Sequence, residues 1–549
     1  MPHAISSIFH APRDTDKSKM NMRNAMSSRS KTFLWIVGGA MLAIVAALIV
    51  VSVVISRRAR VWAEDWMTHE YNSKVELSAF RVAIPFPLVQ CEGDNLTLHF
   101  QGRQDLPPLI AVKRFTIRTS LWGLLRRSRR IQYLQLEGLQ INVPPREETG
   151  DGGDVKKLSS KFRTVRFGEI ISENAILKIL TKKPGKDPLE FEIQHLRLNS
   201  SGADDALKFH ATLSNPKPPG EIVSTGLFGP WNPETPSLTP VSGNYDFEEA
   251  DLGVFPGIAG ILNSKGSYQG VLEKIRVDGT TDTPDFRITS AGHSVDLSTT
   301  FHATVDGTDG DTYLQPVEAH FGQTDLLAQG SVEGTKGVKG KTITLDVSVG
   351  RARIEDLLLF AMRESPSMNG PIHFKTKFIL APGPQEIPDR LNLNGSFELG
   401  SVHFSSSTVQ QKVDNMSKRS EGKPKEVVNP AEATSTDDVA SVMKGNFRLE
   451  KGILSLASLN FAIPGTEVQL AGTYALDPET LDLHGDLKMR AKLSQTTTGV
   501  KSFLLKFADP LFSKGGNGAV VPIKITGSVQ HPHYGLELGR KSEAAAENP

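Results

Sequence analysis

Apolar positions along this chain recur with two periods, and the period of two prevails. Leu481-Asp482-Leu483-His484-Gly485-Asp486-Leu487-Lys488-Met489-Arg490-Ala491-Lys492-Leu493 places an apolar residue or glycine at every odd position and a polar residue at every even one. Successive side chains of a strand point to opposite faces, so this run predicts a sheet with one dry and one wet face. Val468, Leu470, Gly472 and Tyr474 repeat the pattern one strand earlier. Leu109 to Arg118 and Ile131 to Leu136 alternate similarly, with the short apolar piece Leu121 to Leu125 between them. From about residue 160 onward, short strand patterns follow one another between turn signals. Helical patterns are few: Ile354 to Met362, Leu252 to Leu262 and Val500 to Phe507.

Between these elements the sequence punctuates itself. Glu147 to Lys157, with Gly150, Gly152 and Gly153, predicts a flexible break, and residues 412–440 are polar and largely aperiodic, which predicts a mobile loop with room for one helical turn before it. An internal echo joins Ile275-Arg276-Val277-Asp278-Gly279 and Pro284 to Ile288 with Ile523-Lys524-Ile525-Thr526-Gly527 and Pro532 to Leu536. The equal glycine-to-proline spacing predicts a reused strand–turn–strand unit.

Thr32 to Ile55 departs from this pattern, with 24 residues and no charge. At about 1.5 Å per residue it would reach about 36 Å, enough to span a hydrocarbon core of roughly 30 Å, so a single transmembrane helix is expected. Arg57, Arg58 and Arg60 follow directly, without a small-residue cleavage site, which favours an uncleaved anchor. Arg13, Lys17, Lys19, Arg23, Arg29 and Lys31 precede it, so the N-terminus is expected in the cytoplasm and the bulk exported. Trp62 and Trp66 are then the expected membrane-interface anchors.

A dry face must be covered. The few helices cannot cover about 20 strands, which at about 4.8 Å spacing would extend on the order of 95 Å. Either two sheets close on each other as sandwiches or barrels, or something other than protein covers the face; beside a membrane, acyl chains are the obvious candidate. Val468, Leu470, Tyr474, Leu481, Leu483, Leu487 and Met489 are the candidate groove residues, and they serve equally well as ordinary core.

Composition narrows the classes. The 549 residues carry 62 basic and 61 acidic side chains, which argues against a dedicated nucleic-acid binder. Cys91 is the only cysteine, so no intrachain disulfide or multi-cysteine metal site can form. Gly334 to Thr342 imitates a phosphate loop, but Thr335 stands where glycine is required and Ile343 to Val347 continues as a strand, so a hairpin is expected. Asp306-Gly307-Thr308-Asp309-Gly310-Asp311 misses the calcium-loop spacing and predicts a turn. Arg126, Arg127, Arg129 and Arg130 form a basic knot that is either a solvated loop or a contact for anionic headgroups. No HExxH or GxSxG motif occurs, and neither enzyme activity, nor a cofactor, nor a metal is expected.

Five stretches together resemble the AsmA-like family of bacterial envelope proteins, related to the YhdP and TamB groove proteins. They are Pro107 to Pro145 (PPLIAVKRFTIRTSLWGLLRRSRRIQYLQLEGLQINVPP), Gly260 to Phe286, Leu391 to Ser420, Gly445 to Leu476 and Val521 to Leu538. The resemblance implies a mainly β protein, with one transmembrane helix followed by an elongated, twisted antiparallel β-groove that has a chorein-like start and a few short helices. The expected parts are a cytoplasmic tail (1–31), the transmembrane helix (32–55), the chorein-like part (56–146), a flexible break (147–160) and a central groove (161–411). A polar mobile loop (412–440), a C-terminal AsmA-like region (441–540) and a tail (541–549) complete them. The implied function is a non-enzymatic, inner-membrane-anchored periplasmic groove that binds or conducts phospholipid acyl chains in outer-membrane lipid homeostasis. The alternative is an outer-membrane assembly factor recruiting envelope proteins. Expected partners are phospholipids, the membrane and other envelope proteins, with no nucleic acid.

Overall fold

The structure is a computed structural model. It describes residues 74–83, 88–99, 107–120, 129–143, 165–180, 188–200, 206–426, 439–497 and 518–537, apart from single positions and pairs, with isolated helical residues between 42 and 68.

Among these, 27 strands join in one sheet. Neighbours run antiparallel except where Arg129–Glu137 and Gln140–Val143 lie parallel to Val165–Ile179. Four short strands share a rank with a neighbour. They are Val75–Glu76 beside Ala79–Ala83, Gln140–Val143 beside Arg129–Glu137, Ile258–Ala259 beside Ile261–Val271, and Met368–Asn369 beside Ile372–Leu380. Taking four from 27 leaves 23 ranks, and at about 4.8 Å each the sheet runs on the order of 105 Å along its contour.

The sheet is one layer. Its strands contact chiefly their ladder neighbours, and the apolar clusters among the described residues are built from adjacent strands and the helical residues beside them. Burial follows: Lys274–Ile288, Val295–Val305 and Leu391–Phe404 alternate exposed with half-buried positions, reaching full burial at only a few. In a two-layer sandwich the inner positions would be fully buried. The alternation legible in the sequence thus produces a wet face and a dry face, and the dry face is only partly covered.

What covers it comes from one long edge. Helix α1 (Ile354–Ala361) follows strand Lys341–Arg351, and its Leu357 and Leu358 pack on Val349, Ile372, Leu399 and Val402. Its Phe360 stacks on Phe286 at 5.4 Å and tilts against Phe321 at 5.3 Å. The short α2 (Ile387–Arg390) sits on the opposite edge, before Leu391–Phe404. Helix α3 (Ser407–Ser420) follows that strand, capped by the Ser406 side chain accepting from the Val409 amide. Gly257, on the α1 edge, lies against Ile387 of α2, leaving no room for a Cβ. These positions are roughly seven ranks apart, so the sheet coils as well as twists between them.

The two ends differ. At the first rank, helical residues between 58 and 68 close the sheet: Ala63 and Met67 pack on Leu77, Val112 and Phe115. Glu64 accepts from the Leu77 amide at 3.0 Å, and Arg60 donates to the Ser78 carbonyl at 3.2 Å. At the last rank, Pro532–Leu536, Tyr534 is 76% exposed and Leu536 54%.

Several expectations are corrected. No described helix is long and apolar enough to cross a membrane, so the expected transmembrane helix over 32–55 is not supported. Only residues 42, 43, 46 and 50 of that segment are described. Leu252 to Leu262 is not a helix: a 3-10 turn over Leu252–Val254 leads into the strands Ile258–Ala259 and Ile261–Val271. Gly253, Pro256, Gly257 and Gly260 interrupt the apolar spacing, and Gly257 and Gly260 take φ of +94° and +141°. The echo spans unlike structures. Residues 275–288 form one strand bulged between Thr283 and Phe286, whereas Gly527, at φ +96°, turns the chain between two strands. Residues 412–420 belong to α3, not to a loop. The hairpin after Gly334 and the turn at Asp306 to Asp311 form as expected, Asp306 accepting from the Thr308 amide at 2.8 Å. Val500 to Phe507, Leu121 to Leu125 and the break over 147–160 lie outside the described residues.

Candidate binding face

The dry face is the candidate site, and its C-terminal part carries the residues singled out in the sequence. Strands Thr466–Ala475 and Thr480–Met489 pair so that Val468 faces Leu487, Gly472 faces Leu483 and Tyr474 faces Leu481. The next strand, Ala519–Ser528, continues these rows with Val521 beside Leu487 and Ile525 beside Leu483. All seven candidates therefore share one face. They are not equivalent. Val468, Leu470 and Leu483 are buried at 7%, 8% and 6% exposure, under Met416 of α3 and among Leu456, Leu459 and Phe461. Leu481, Leu487, Tyr474 and Met489 are half-buried. The first three form the buried core, and the other four flank it half-buried. Burial pushes the Tyr474 phenol above its ordinary range, and the carboxylates of Glu479 and then Glu364 add to the shift. Glu364 follows α1 in sequence, so a loop from the helical edge reaches toward this strand's far end.

Helix α3 is held by polar groups. Gln410 donates to Asp414 at 2.9 Å and to the Val439 carbonyl at 3.0 Å, and accepts from the Phe404 amide at 2.9 Å. Asp414 accepts from the Val439 amide at 2.9 Å, and Ser417 donates to the Pro464 carbonyl at 2.8 Å. These bonds fix Met416 over the dry face.

The middle of the dry face was not foreseen. Strands Pro240–Asp251 and Ile261–Val271 place Tyr245 opposite Gly266 and Tyr268 opposite Gly243. Each ring lies flat along the sheet: a Cβ on Gly266 would sit 2.8 Å from Tyr245 Cε1, and one on Gly243 would sit 2.9 Å from Tyr268 Oη. Ring centroids are 6.5 Å apart and tilted by 35°. Tyr245 Oη meets Ser264 Oγ at 3.0 Å, and Tyr268 Oη meets Ser224 Oγ at 2.7 Å. Burial raises both phenol pKa values, partly countered by these serines. The repeated Gly-x-Tyr of Gly243-Asn244-Tyr245 and Gly266-Ser267-Tyr268 was the available signal.

Arg129 and Arg130 begin a strand whose partners are Val165 and Arg166, while Arg126, Arg127, Trp62 and Trp66 lie outside the described residues. No group of three or more metal-ligating side chains occurs among the described residues. No family model, curated protein or solved structure matches the chain. Expectations that depended on the anchor are corrected with it. A single-pass inner-membrane location with cytoplasmic N-terminus and periplasmic bulk lacks a membrane-crossing helix among the described residues. No match supports phospholipids, the membrane or envelope proteins as partners, nor an anchored role in outer-membrane lipid homeostasis or assembly.

Proposed function

We propose that the protein is a non-enzymatic binding scaffold whose dry sheet face receives an elongated apolar ligand. A kinship in fold with AsmA-like proteins is part of this proposal and rests on the five sequence stretches. One observation carries it: in the C-terminal strands the dry face is apolar, and residues on it such as Leu481 and Leu487 are only half-buried. A rigid, one-layer face offers many equivalent contacts along its length and no convergent reactive groups, which suits binding better than chemistry.

The test is a titration of the full chain with alkyl chains of increasing length that carry an environment-sensitive fluorophore. A chain lying on an open face buries about half its surface, so each methylene contributes about 0.4 kcal/mol, half the fully buried value. Affinity should then rise about fourfold for every two methylenes. Affinity independent of chain length would remove the proposal.

A further inference from the structure

We propose that the tyrosine pair midway along the dry face is a subsite for a neutral saccharide ring, distinct from the apolar lining nearer the C-terminus. Three features of this patch point to that chemistry.

The first is shape. Gly226 faces Gly243 and Gly266 faces Gly279 across adjacent strands, so four positions beneath and beside the rings lack side chains. Tyr245 extends over Gly266 as far as Gly279, where a Cβ would sit 2.7 Å from its Oη. Phe301 adjoins Gly279 in the next row. Rings laid flat on glycines keep one π-face against the sheet and present the other outward. The C–H face of a pyranose is flat and apolar, and it matches such a platform.

The second is hydrogen-bond polarity. Ser224 donates to the Asn244 carbonyl at 3.0 Å and Ser264 donates to the Thr280 carbonyl at 2.9 Å. Each serine has one proton, so the tyrosines must donate to the serines, and both tyrosine protons are then used as well. What remains on these four hydroxyls is lone pairs. Thr281 and Thr299 pair at 2.7 Å beside them and leave one proton between them. The patch accepts hydrogen bonds, so its ligand must supply donors, as sugar hydroxyls do.

The third is charge. Across the strands from Pro219–Phe228 to Val295–Val305, the positions that share this face with Tyr245 and Tyr268 hold no charged residue, while Lys265 and Asp246 pair at 3.0 Å on the wet face. A carboxylate or phosphate finds no counter-charge here and only one free hydroxyl proton, and a cation finds no carboxylate to offset its desolvation. A neutral polyol meets neither obstacle.

The test uses the full chain, neutral tetrasaccharides of glucose, galactose and N-acetylglucosamine, and a tetrauronate as the charged counterpart, read by calorimetry and saturation-transfer NMR. At least one neutral tetrasaccharide should bind, and the tetrauronate should bind at least about tenfold more weakly. Tyr245→Leu and Tyr268→Leu should each weaken binding about tenfold, by removing a stacking face. Tyr245→Phe and Tyr268→Phe keep ring and packing and should weaken it two- to fivefold, so the test stands even if the leucine variants fail to fold. Absence of binding to every neutral tetrasaccharide up to about 10 mM, binding untouched by the phenylalanine variants, or preference for the tetrauronate would each overturn the assignment. The alkyl-chain titration reads a different probe, so the two proposals can fail separately.

Discussion

Leu483 and Leu487 stand four residues apart on one strand and face the same way, yet the structure gives them different work. Leu483 is 6% exposed and enclosed by the cluster under Met416, whereas Leu487 is half-buried on the open part of the face. Truncating a leucine to alanine removes about three carbon groups, worth about 2.4 kcal/mol when fully buried. At Leu483 a cavity adds to that, giving about 3 kcal/mol for Leu483→Ala. At Leu487 about half the transfer energy applies and water fills the space, so Leu487→Ala should cost about 1 kcal/mol. A sheet this long need not unfold in one step, so the suitable assay is local: hydrogen exchange of amides in Thr466–Ala475, Thr480–Met489 and Ala519–Ser528. The difference of about 2 kcal/mol corresponds to a roughly 30-fold larger opening constant for Leu483→Ala than for Leu487→Ala. Equal effects would refute the division into core and lining, because they would mean that both residues sit in one closed interior.

Three further outcomes follow from particular contacts. Asp414→Ala strands the Val439 amide and one donor of Gln410; it should destabilise the α3 region by about 1–3 kcal/mol, seen as faster exchange at Val439, with Asp414→Asn restoring most of the protection. Burial raises the Cys91 thiol from 9.0 to about 11, so at pH 8 its thiolate fraction and its labelling by maleimide should fall about 100-fold below those of a free cysteine; labelling at the free rate would contradict the packing around it. Tyr245, Tyr268 and Tyr474 have phenol pKa values raised chiefly by burial. The folded state therefore holds these protons more tightly, and the stability they contribute is full below the ordinary phenol range and lost as pH rises through the raised values. Spectrophotometric titration should show a late-ionising group of tyrosines whose ionisation coincides with unfolding; ionisation of all seven tyrosines near pH 10 in a still-folded protein would refute this.

The sequence was most informative where apolar residues alternate, as in Thr480–Met489, because the period of two fixes which side chains share a face. It misled where spacing and backbone freedom disagreed. Leu252, Phe255, Ala259 and Leu262 are spaced as on a helix, yet the glycines and Pro256 among them prevent one. Helix α3 was missed for the opposite reason. Its buried positions, Gln410, Asp414 and Ser417, recur at helical spacing but are polar, and a search for apolar stripes passes over them. The tyrosine platform was missed because the residues that shape it are glycines, whose role is to be absent beneath a ring. The register that brings Gly243 under Tyr268 belongs to the pairing of strands, and no single strand shows it.

The most direct measurement of the central claim is photolabelling of the full chain with an alkyl diazirine, followed by residue-level mass spectrometry. If an apolar ligand lies on the dry face, labels will fall on alternate positions of the C-terminal strands, at Leu481, Leu487 and Met489, and spare Asp482, Asp486 and Lys488. Labelling spread without alternation over both faces would contradict it.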